Sequence, residues 1–120
     1  MLRCLIVDDS ARFLEVARVV LEGDGITVVG TAATGAEALR LVADLRPDVT
    51  LVDIDLGGES GFRLARRLTE VPSGATILIS THSEEDFADL IEASPAIGFL
   101  PKSVLSAAAI RDTLGPPHTR

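Results

Sequence analysis

Short apolar runs alternate with longer amphipathic stretches five times along this chain. The runs predict strands near residues 3–8, 26–31, 48–53, 75–80 and 97–100, and the stretches predict helices near 11–22, 35–45, 60–70, 84–93 and 104–114. Strands that alternate with helices are typical of a parallel sheet covered on both faces. We therefore predict one α/β domain over residues 1–115, followed at 116–120 by a C-terminal tail or the start of a linker.

Local signals mark the starts of the predicted helices. Ser10 is suited to cap the first helix, and Thr34 with Glu37 forms a capping box for the second. Ser83 with Asp86 is a weaker version of this signal before the fourth helix. The first helix also carries an apolar stripe that we expect to face the sheet, namely Phe13, Ala17, Val20 and Leu21.

Composition narrows the class of protein. Hydrophobic residues make up 47% of the chain and charged residues 24%, as in globular domains that fold alone. The formal charge of −7 excludes the basic surface that direct nucleic-acid binding requires. No apolar stretch reaches the length of a membrane span, and the N-terminus runs into the first strand without a signal-peptide pattern, so we expect a cytoplasmic location. The only cysteine, Cys4, is interpreted as a core residue.

Three aspartates stand at the ends of two predicted strands. Asp8 and Asp9 follow the first strand, and Asp53 ends the third. In a flavodoxin-like, doubly wound (βα)5 three-layer sandwich with strand order 2-1-3-4-5, these carboxylates converge where the strand order reverses. Two carboxylates about 5 Å apart repel each other by roughly 3 kcal/mol at an effective dielectric constant near 20. Oxygen-only ligands therefore indicate a hard cation, Mg²⁺, with Mn²⁺ as the alternative.

Two later strands add groups that suit phosphate chemistry. Ile77-Leu78-Ile79 runs into the hydroxyls of Ser80 and Thr81, and Gly98-Phe99-Leu100 runs through Pro101 into Lys102, the only lysine of the chain. Carboxylates, a hydroxyl, an ammonium and Mg²⁺ around one point can position and neutralise a phosphoryl group during transfer. A carboxylate can also serve as the nucleophile and form an aspartyl phosphate.

At this point the sequence resembles the receiver domain of two-component response regulators and is similar to the single-domain chemotaxis receiver. The resemblance extends from Leu5-Ile6-Val7-Asp8-Asp9-Ser10 through Val52-Asp53-Ile54-Asp55-Leu56 and Ile79-Ser80 to Gly98-Phe99-Leu100-Pro101-Lys102. It implies a phosphorylation-dependent switch that accepts a phosphoryl group from a histidine kinase or a phosphotransfer protein. It also implies that the domain catalyses only its own phosphorylation and dephosphorylation.

The resemblance assigns a role to each acidic residue of the predicted site. Asp53 is the expected phosphoacceptor. Asp9 and the Asp53 carboxylate are expected to bind Mg²⁺ directly, Asp8 through a water molecule, and Asp55 through its backbone carbonyl. Lys102 is expected to pair with the phosphoryl group.

The same resemblance assigns the switch. Ser80 is expected to hydrogen-bond a phosphoryl oxygen, in preference to Thr81, because it directly ends the apolar run at the family's spacing from the lysine. Phe99 matches the aromatic residue that moves inward when this hydroxyl shifts. The side chains of Asp55 and His82 stand at positions that modulate how fast the phosphate arrives and leaves, although exposed loop polars would look the same.

The resemblance also implies partner surfaces. The fourth helix, fifth strand and fifth helix are a common site for dimers or output domains in receivers. Ser103 follows Lys102 where many receivers have a proline, so the Lys102-Ser103 peptide bond is open to being trans. Receivers without this proline are common among those joined to LuxR/NarL-type helix-turn-helix domains, which is the output class that we expect. Gly57-Gly58 likewise replaces a common proline-glycine pair.

Two other functions fit parts of the sequence. Val52-Asp53-Ile54-Asp55 resembles the nucleophile loop of haloacid-dehalogenase-type phosphatases, but that family places its nucleophile on the first strand. A pseudo-receiver, which has the same fold and only binds proteins, typically lacks one or more site residues. This chain retains the whole set, so the phosphorylated switch is preferred.

Overall fold

The computed structural model describes residues 2–115, and the predicted tail at 116–120, with His118, lies outside them. Five strands and five helices alternate along this part of the chain. The strands are β1 (Arg3–Val7), β2 (Thr27–Ala32), β3 (Val49–Asp53), β4 (Ala75–Ser80) and β5 (Gly98–Pro101). The helices are α1 (Ala11–Gly23), α2 (Gly35–Leu45), α3 (Gly61–Leu68), α4 (Ala88–Ala93) and α5 (Ala107–Leu114).

The strands form one parallel sheet in the order β2-β1-β3-β4-β5, which confirms the predicted topology. In the register of β1 against β3, Val7 pairs with Val52. Asp8 and Asp53, which follow these two residues, therefore leave the sheet side by side at its carboxyl edge. The reversal of strand order occurs between β1 and β3, where ligands of open α/β sheets bind.

Two apolar clusters, one on each face of the sheet, give the fold its three layers. Along β1 the side chains alternate, so that Leu5 and Val7 join one cluster while Cys4 and Ile6 join the other. The first cluster includes the buried faces of α2 and α3, and the second includes those of α1 and α5. Among residues 2–115 no helix is both long and apolar enough to cross a bilayer.

The predicted caps of the first two helices are present. Ser10 Oγ accepts a hydrogen bond from Phe13 N–H at 3.2 Å, and Thr34 Oγ1 accepts one from Glu37 N–H at 3.2 Å. Glu37 Oε1 also accepts a hydrogen bond at this helix start, but the donor is the N–H of Ala33, one residue before the cap. Both helices therefore start where the side chains satisfy their free N–H groups.

The fourth and fifth helices differ from the prediction. Residues Glu84–Phe87 form a 3₁₀ turn before α4, and Ser83 makes no side-chain cap there, so the predicted capping box is wrong. A second 3₁₀ turn, Lys102–Val104, precedes α5, which therefore starts three residues later than predicted. Val20 is 40% exposed, because α1 turns it away from the sheet, whereas Ala17 and Leu21 are buried as predicted.

Candidate functional site

The three predicted aspartates lie together at the carboxyl edge of β1 and β3. One carboxylate oxygen from each of Asp8, Asp9 and Asp53 lies within 4.8 Å of the other two. Asp8 is fully buried and Asp53 is 7% exposed, while Asp9 is exposed. The burial follows from the neighbouring strands, because Asp8 N–H still donates to the carbonyl of Ala32 on β2, at 2.9 Å.

Lys102 lies between two of these carboxylates. Its Nζ is 2.6 Å from Asp8 Oδ2 and 3.2 Å from Asp53 Oδ2. The 3₁₀ turn after β5 positions the lysine, and the Lys102-Ser103 peptide bond is trans, since residues 2–115 contain no cis peptide bond. Three carboxylates and one ammonium leave the site with two negative charges.

The surroundings shift the pKa of both partners. Burial raises the pKa of Asp53 and the charge of Asp8 adds to this, while the Asp55 N–H and the Lys102 ammonium offset it only in part. Burial lowers the pKa of Lys102, but the close contacts with Asp8 and Asp53 outweigh this and leave it raised. Lys102 is therefore a permanent cation at neutral pH, whereas the negative charge on Asp53 is held at a cost.

The donor set fits a divalent cation. All three side chains offer carboxylate oxygens, which are the ligands that Mg²⁺ prefers. Asp8 Oδ2 is buried and accepts no hydrogen bond of regular geometry from the described residues, although the Lys102 ammonium lies close to it. A buried anion with spare acceptor capacity and a site with net negative charge both favour a bound cation.

Ser80 ends β4 next to the acidic cluster and is buried, whereas Thr81 is exposed. The Oγ of Ser80 accepts a hydrogen bond from His82 N–H at 2.9 Å and lies 3.4 Å from His82 Nδ1. The exposed His82 ring packs edge-on against Phe87, with 5.6 Å between the ring centroids. In this structure the Ser80 hydroxyl is therefore hydrogen-bonded to the loop that follows β4.

The loop from β3 to α3 closes over the site with two glycines in left-handed conformations. Gly57 has φ +62° and Gly58 has φ +104°. A β-carbon on Gly57 would lie 2.6 Å from Asp9 Oδ2, so the carboxylate of Asp9 rests directly against this backbone. The Asp55 side chain accepts a hydrogen bond from Gly57 N–H at 3.3 Å, and Asp55 N–H donates to Asp53 Oδ1 at 3.2 Å.

Phe99 lies in the interior. It is 8% exposed and belongs to the apolar cluster that also contacts Phe87 and Ile91. The ring therefore occupies an inward position on β5, one strand away from Ser80. Its predicted movement during switching stays a prediction.

Two contacts at the site were not predicted from the sequence. Lys102 Nζ lies 4.3 Å from the centroid of the Phe13 ring, and Glu59 Oε1 accepts a hydrogen bond from Gly35 N–H at 3.1 Å, at the start of α2. Both contacts join residues that are far apart in the chain, so no local sequence pattern predicts them. Cys4 has no part in the site, because it is buried in the core and burial raises the pKa of its thiol to about 12.

Known proteins resemble this chain over most of its length. The family model described as a response regulator receiver domain matches residues 4–114. The response regulator GacA of Pseudomonas viridiflava is 33% identical over 104 residues, which make up 85% of this chain and 49% of GacA. Protein-glutamate methylesterase/protein-glutamine glutaminase 3 of Hahella chejuensis is 34% identical over 118 residues, or 95% of this chain and 31% of that protein.

The structural likeness is equally broad. The signal receiver domain of NarL from Mycobacterium tuberculosis has a TM-score of 0.81 and 33% sequence identity, and the match covers 96% of this chain and 98% of that one. The chain therefore spans half or less of the length of these curated relatives, 49% of GacA and 31% of the methylesterase.

Proposed function

This chain belongs to the response regulator receiver domain family, and on that premise we propose that Asp53 accepts a phosphoryl group from a histidine kinase or a phosphotransfer protein. The observation that carries this proposal is the contact of Lys102 Nζ with Asp53 Oδ2 at 3.2 Å beside two further carboxylates. A buried carboxylate with an ammonium beside it is equipped to receive a group whose negative charge must be neutralised.

The transfer is a displacement at phosphorus. A carboxylate oxygen of Asp53 forms a bond to the phosphorus of a phosphohistidine while the phosphorus–nitrogen bond breaks, and the electron pair of that bond leaves with the imidazole. The raised pKa of Asp53 reflects the free-energy cost of its negative charge in the unphosphorylated chain. Attack by water on the aspartyl phosphate later releases inorganic phosphate and restores the carboxylate. The domain thus acts only on itself.

Mg²⁺ is the proposed cofactor, and when bound it neutralises the oxygens of the transferred group. Asp9 and Asp53 would bind it directly, Asp8 through a water molecule, and Asp55 through its backbone carbonyl. The clustering of the three carboxylates within 4.8 Å and the net negative charge of the site support this assignment. Mn²⁺, which takes the same ligands, is expected to substitute.

Ser80 and Phe99 are the proposed switch. The Ser80 hydroxyl is held by His82, so a shift of Ser80 toward a phosphoryl oxygen would break that hydrogen bond and free the loop before α4. Phe99 packs in the same apolar cluster as Phe87 of that loop, so its ring would move with the loop. We propose that the side chains of Asp55 and His82 modulate the rates at which phosphate arrives and leaves. The backbone N–H of each residue donates to a site residue, Asp53 Oδ1 or Ser80 Oγ, and this contact holds the side chain at the edge of the site.

The surface of α4, β5 and α5 is the proposed site for an output domain or a second copy. Leu90 on α4 is 52% exposed there, and Ile97 and Val104, which directly precede β5 and the loop into α5, are 49% and 55% exposed. The likeness to the NarL receiver domain supports a LuxR/NarL-type output. A cytoplasmic location is proposed with it, because histidine kinases phosphorylate their partners there.

The test is phosphorylation by a small donor. The purified chain is incubated with Mg²⁺ and acetyl phosphate, and intact mass spectrometry counts the phosphoryl groups added. We expect one group on the wild-type chain, none on Asp53→Asn, and one on the matched control Asp44→Asn, which removes an exposed carboxylate on α2. A wild-type chain that takes no phosphate under these conditions would contradict the proposal and revive the pseudo-receiver alternative, whereas multiple turnover of a phosphate ester would revive the phosphatase.

A further inference from the structure

The ammonium of Lys102 has a third neighbour besides the two carboxylates. Its Nζ lies 2.6 Å from Asp8 Oδ2, 3.2 Å from Asp53 Oδ2 and 4.3 Å from the centroid of the Phe13 ring. A cation within about 6 Å of an aromatic ring centroid is attracted by the negative face of the ring. Phe13, on the first turn of α1, is therefore part of the immediate surroundings of the lysine.

The position of the Phe13 ring is itself tied to the acidic site. Asp8 Oδ1 accepts a hydrogen bond from Ser10 N–H at 2.8 Å, and Ser10 Oγ accepts one from Phe13 N–H at 3.2 Å. The ring contacts Lys102, and Lys102 returns to Asp8 through its other oxygen. These contacts form a closed circuit of four residues, in which the cap of α1 fixes the ring relative to the carboxylate.

An aromatic neighbour suits this lysine for a specific reason. The ammonium sits on a flexible four-carbon stem and needs to be held in place. A carboxylate in the place of Phe13 would hold it but would add a further negative charge to a site that already carries two. A ring face attracts the ammonium without a formal charge of its own, so it adds no repulsion against the phosphoryl oxygens.

We propose that Phe13 is a positioning residue, whose ring holds the Lys102 ammonium at Asp8 and Asp53 and thereby prepares it to meet the incoming phosphoryl group. The proposal rests on the proposed role of Asp53 as phosphoacceptor only in its last step. The placement of the ammonium by the ring is a property of the unphosphorylated chain and can be measured there.

The chain offers a direct spectroscopic test, since Lys102 is its only lysine. Growth with ¹³C- and ¹⁵N-labelled lysine gives a single ε-methylene signal in the NMR spectrum. A ring face above the ammonium shifts that signal upfield. We expect the upfield shift in the wild-type chain and in Phe13→Tyr, and its loss in Phe13→Leu and Phe13→Met. An unchanged signal in both aliphatic variants would overturn the proposal.

A kinetic measurement separates positioning from simple packing. With acetyl phosphate and Mg²⁺, we expect Phe13→Leu and Phe13→Met to reduce the phosphorylation rate at saturating donor by about 2- to 30-fold, the range that cation–π energies imply. Phe13→Tyr should stay within about twofold of wild type, because it keeps the ring face. Half-saturation by Mg²⁺ should change less than the rate does, since Phe13 contacts Lys102 and reaches the carboxylates only through it.

The outcomes distinguish this proposal from the proposed function. If aliphatic variants lose the NMR shift but keep the wild-type rate, Phe13 does not position Lys102 for transfer and the proposal is wrong. Equal slowing in Phe13→Tyr and Phe13→Leu would also refute it, since that result indicates packing alone. If the wild-type chain takes no phosphate at all, the role of Asp53 fails, while the NMR result still decides whether the ring holds the ammonium.

Discussion

Replacement of Lys102 by Met, which keeps most of the stem and removes the charge, should destabilise the fold. The side chains of Asp8 and Lys102 are 0% and 14% exposed, so this ion pair is largely shielded from water. At an effective dielectric constant of 20, the contacts at 2.6 Å and 3.2 Å give gross attractions of roughly 6 and 5 kcal/mol. Most of this is offset by desolvation, and loss of one partner from a buried pair costs about 3–5 kcal/mol. We expect Lys102→Met to lower the free energy of unfolding by about 3 kcal/mol.

Urea unfolding followed by far-UV circular dichroism is the suitable assay, because the chain has no tryptophan and no tyrosine. A double-mutant cycle with Asp53→Asn isolates the part of the loss that the Asp53 contact carries, and we expect a coupling energy of about 2 kcal/mol. Glu22→Gln is the control. It removes the exposed ion pair with Arg18, whose atoms are 3.6 Å apart, and should cost less than about 0.5 kcal/mol.

Addition of Mg²⁺ completes the experiment. Because a bound divalent cation would also neutralise the carboxylates, it should restore part of the stability of Lys102→Met. The reasoning is refuted if Lys102→Met costs no more than Glu22→Gln, or if its effect and that of Asp53→Asn are additive. Either result would mean that the ammonium does not hold the buried carboxylates together.

Three further predictions concern the loop after β3, the residue that holds Ser80, and pH. Gly57→Ala should weaken Mg²⁺ binding in a calorimetric titration, because its β-carbon would displace Asp9, whereas Gly58→Ala, whose β-carbon meets only open space, should strain the loop but leave the affinity close to wild type. His82→Ala should change the half-life of the aspartyl phosphate in a decay assay, because it removes the imidazole whose Nδ1 lies 3.4 Å from Ser80 Oγ, and an unchanged decay curve would remove His82 from the mechanism. Because burial raises the pKa of Asp53 above its ordinary value of 3.8, the folded chain binds that proton more tightly than the unfolded chain. Wild type should therefore gain stability relative to Asp53→Asn as the pH falls from 7 toward 3.8, and parallel curves in urea unfolding would contradict this.

The sheet was predictable because its strands carry strong local signals. Runs such as Thr76-Ile77-Leu78-Ile79 are buried on both faces, so their apolar character does not depend on neighbouring elements. The start of α4 was not predictable in the same way. The 3₁₀ turn of Glu84–Phe87 has no side-chain cap, and its first three residues are exposed. Its last residue, Phe87, is partly buried and packs on Phe62, with 6.2 Å between the ring centroids. That contact belongs to the tertiary structure.

The acidic part of the site was predictable for a related reason. Asp8, Asp9 and Asp53 each stand at the end of a strand, and parallel strands bring such ends together. The sequence could place Phe13 only on the apolar stripe of α1. Its contact with Lys102 joins positions 89 residues apart, and it exists because the end of β5 and the start of α1 meet at the same edge of the sheet.

The surroundings of Lys102 also restrict the size of the cation that fits at this position. The chain contains ten arginines and one lysine. Two carboxylate oxygens at 2.6 Å and 3.2 Å and a ring centroid at 4.3 Å surround a compact, tetrahedral ammonium. A planar guanidinium, with five N–H donors in a rigid fork, is wider and would push these three groups apart. Arginine therefore suffices at positions of this chain where only the charge matters. At residue 102 the size of the cation matters as well, and there the chain has its lysine.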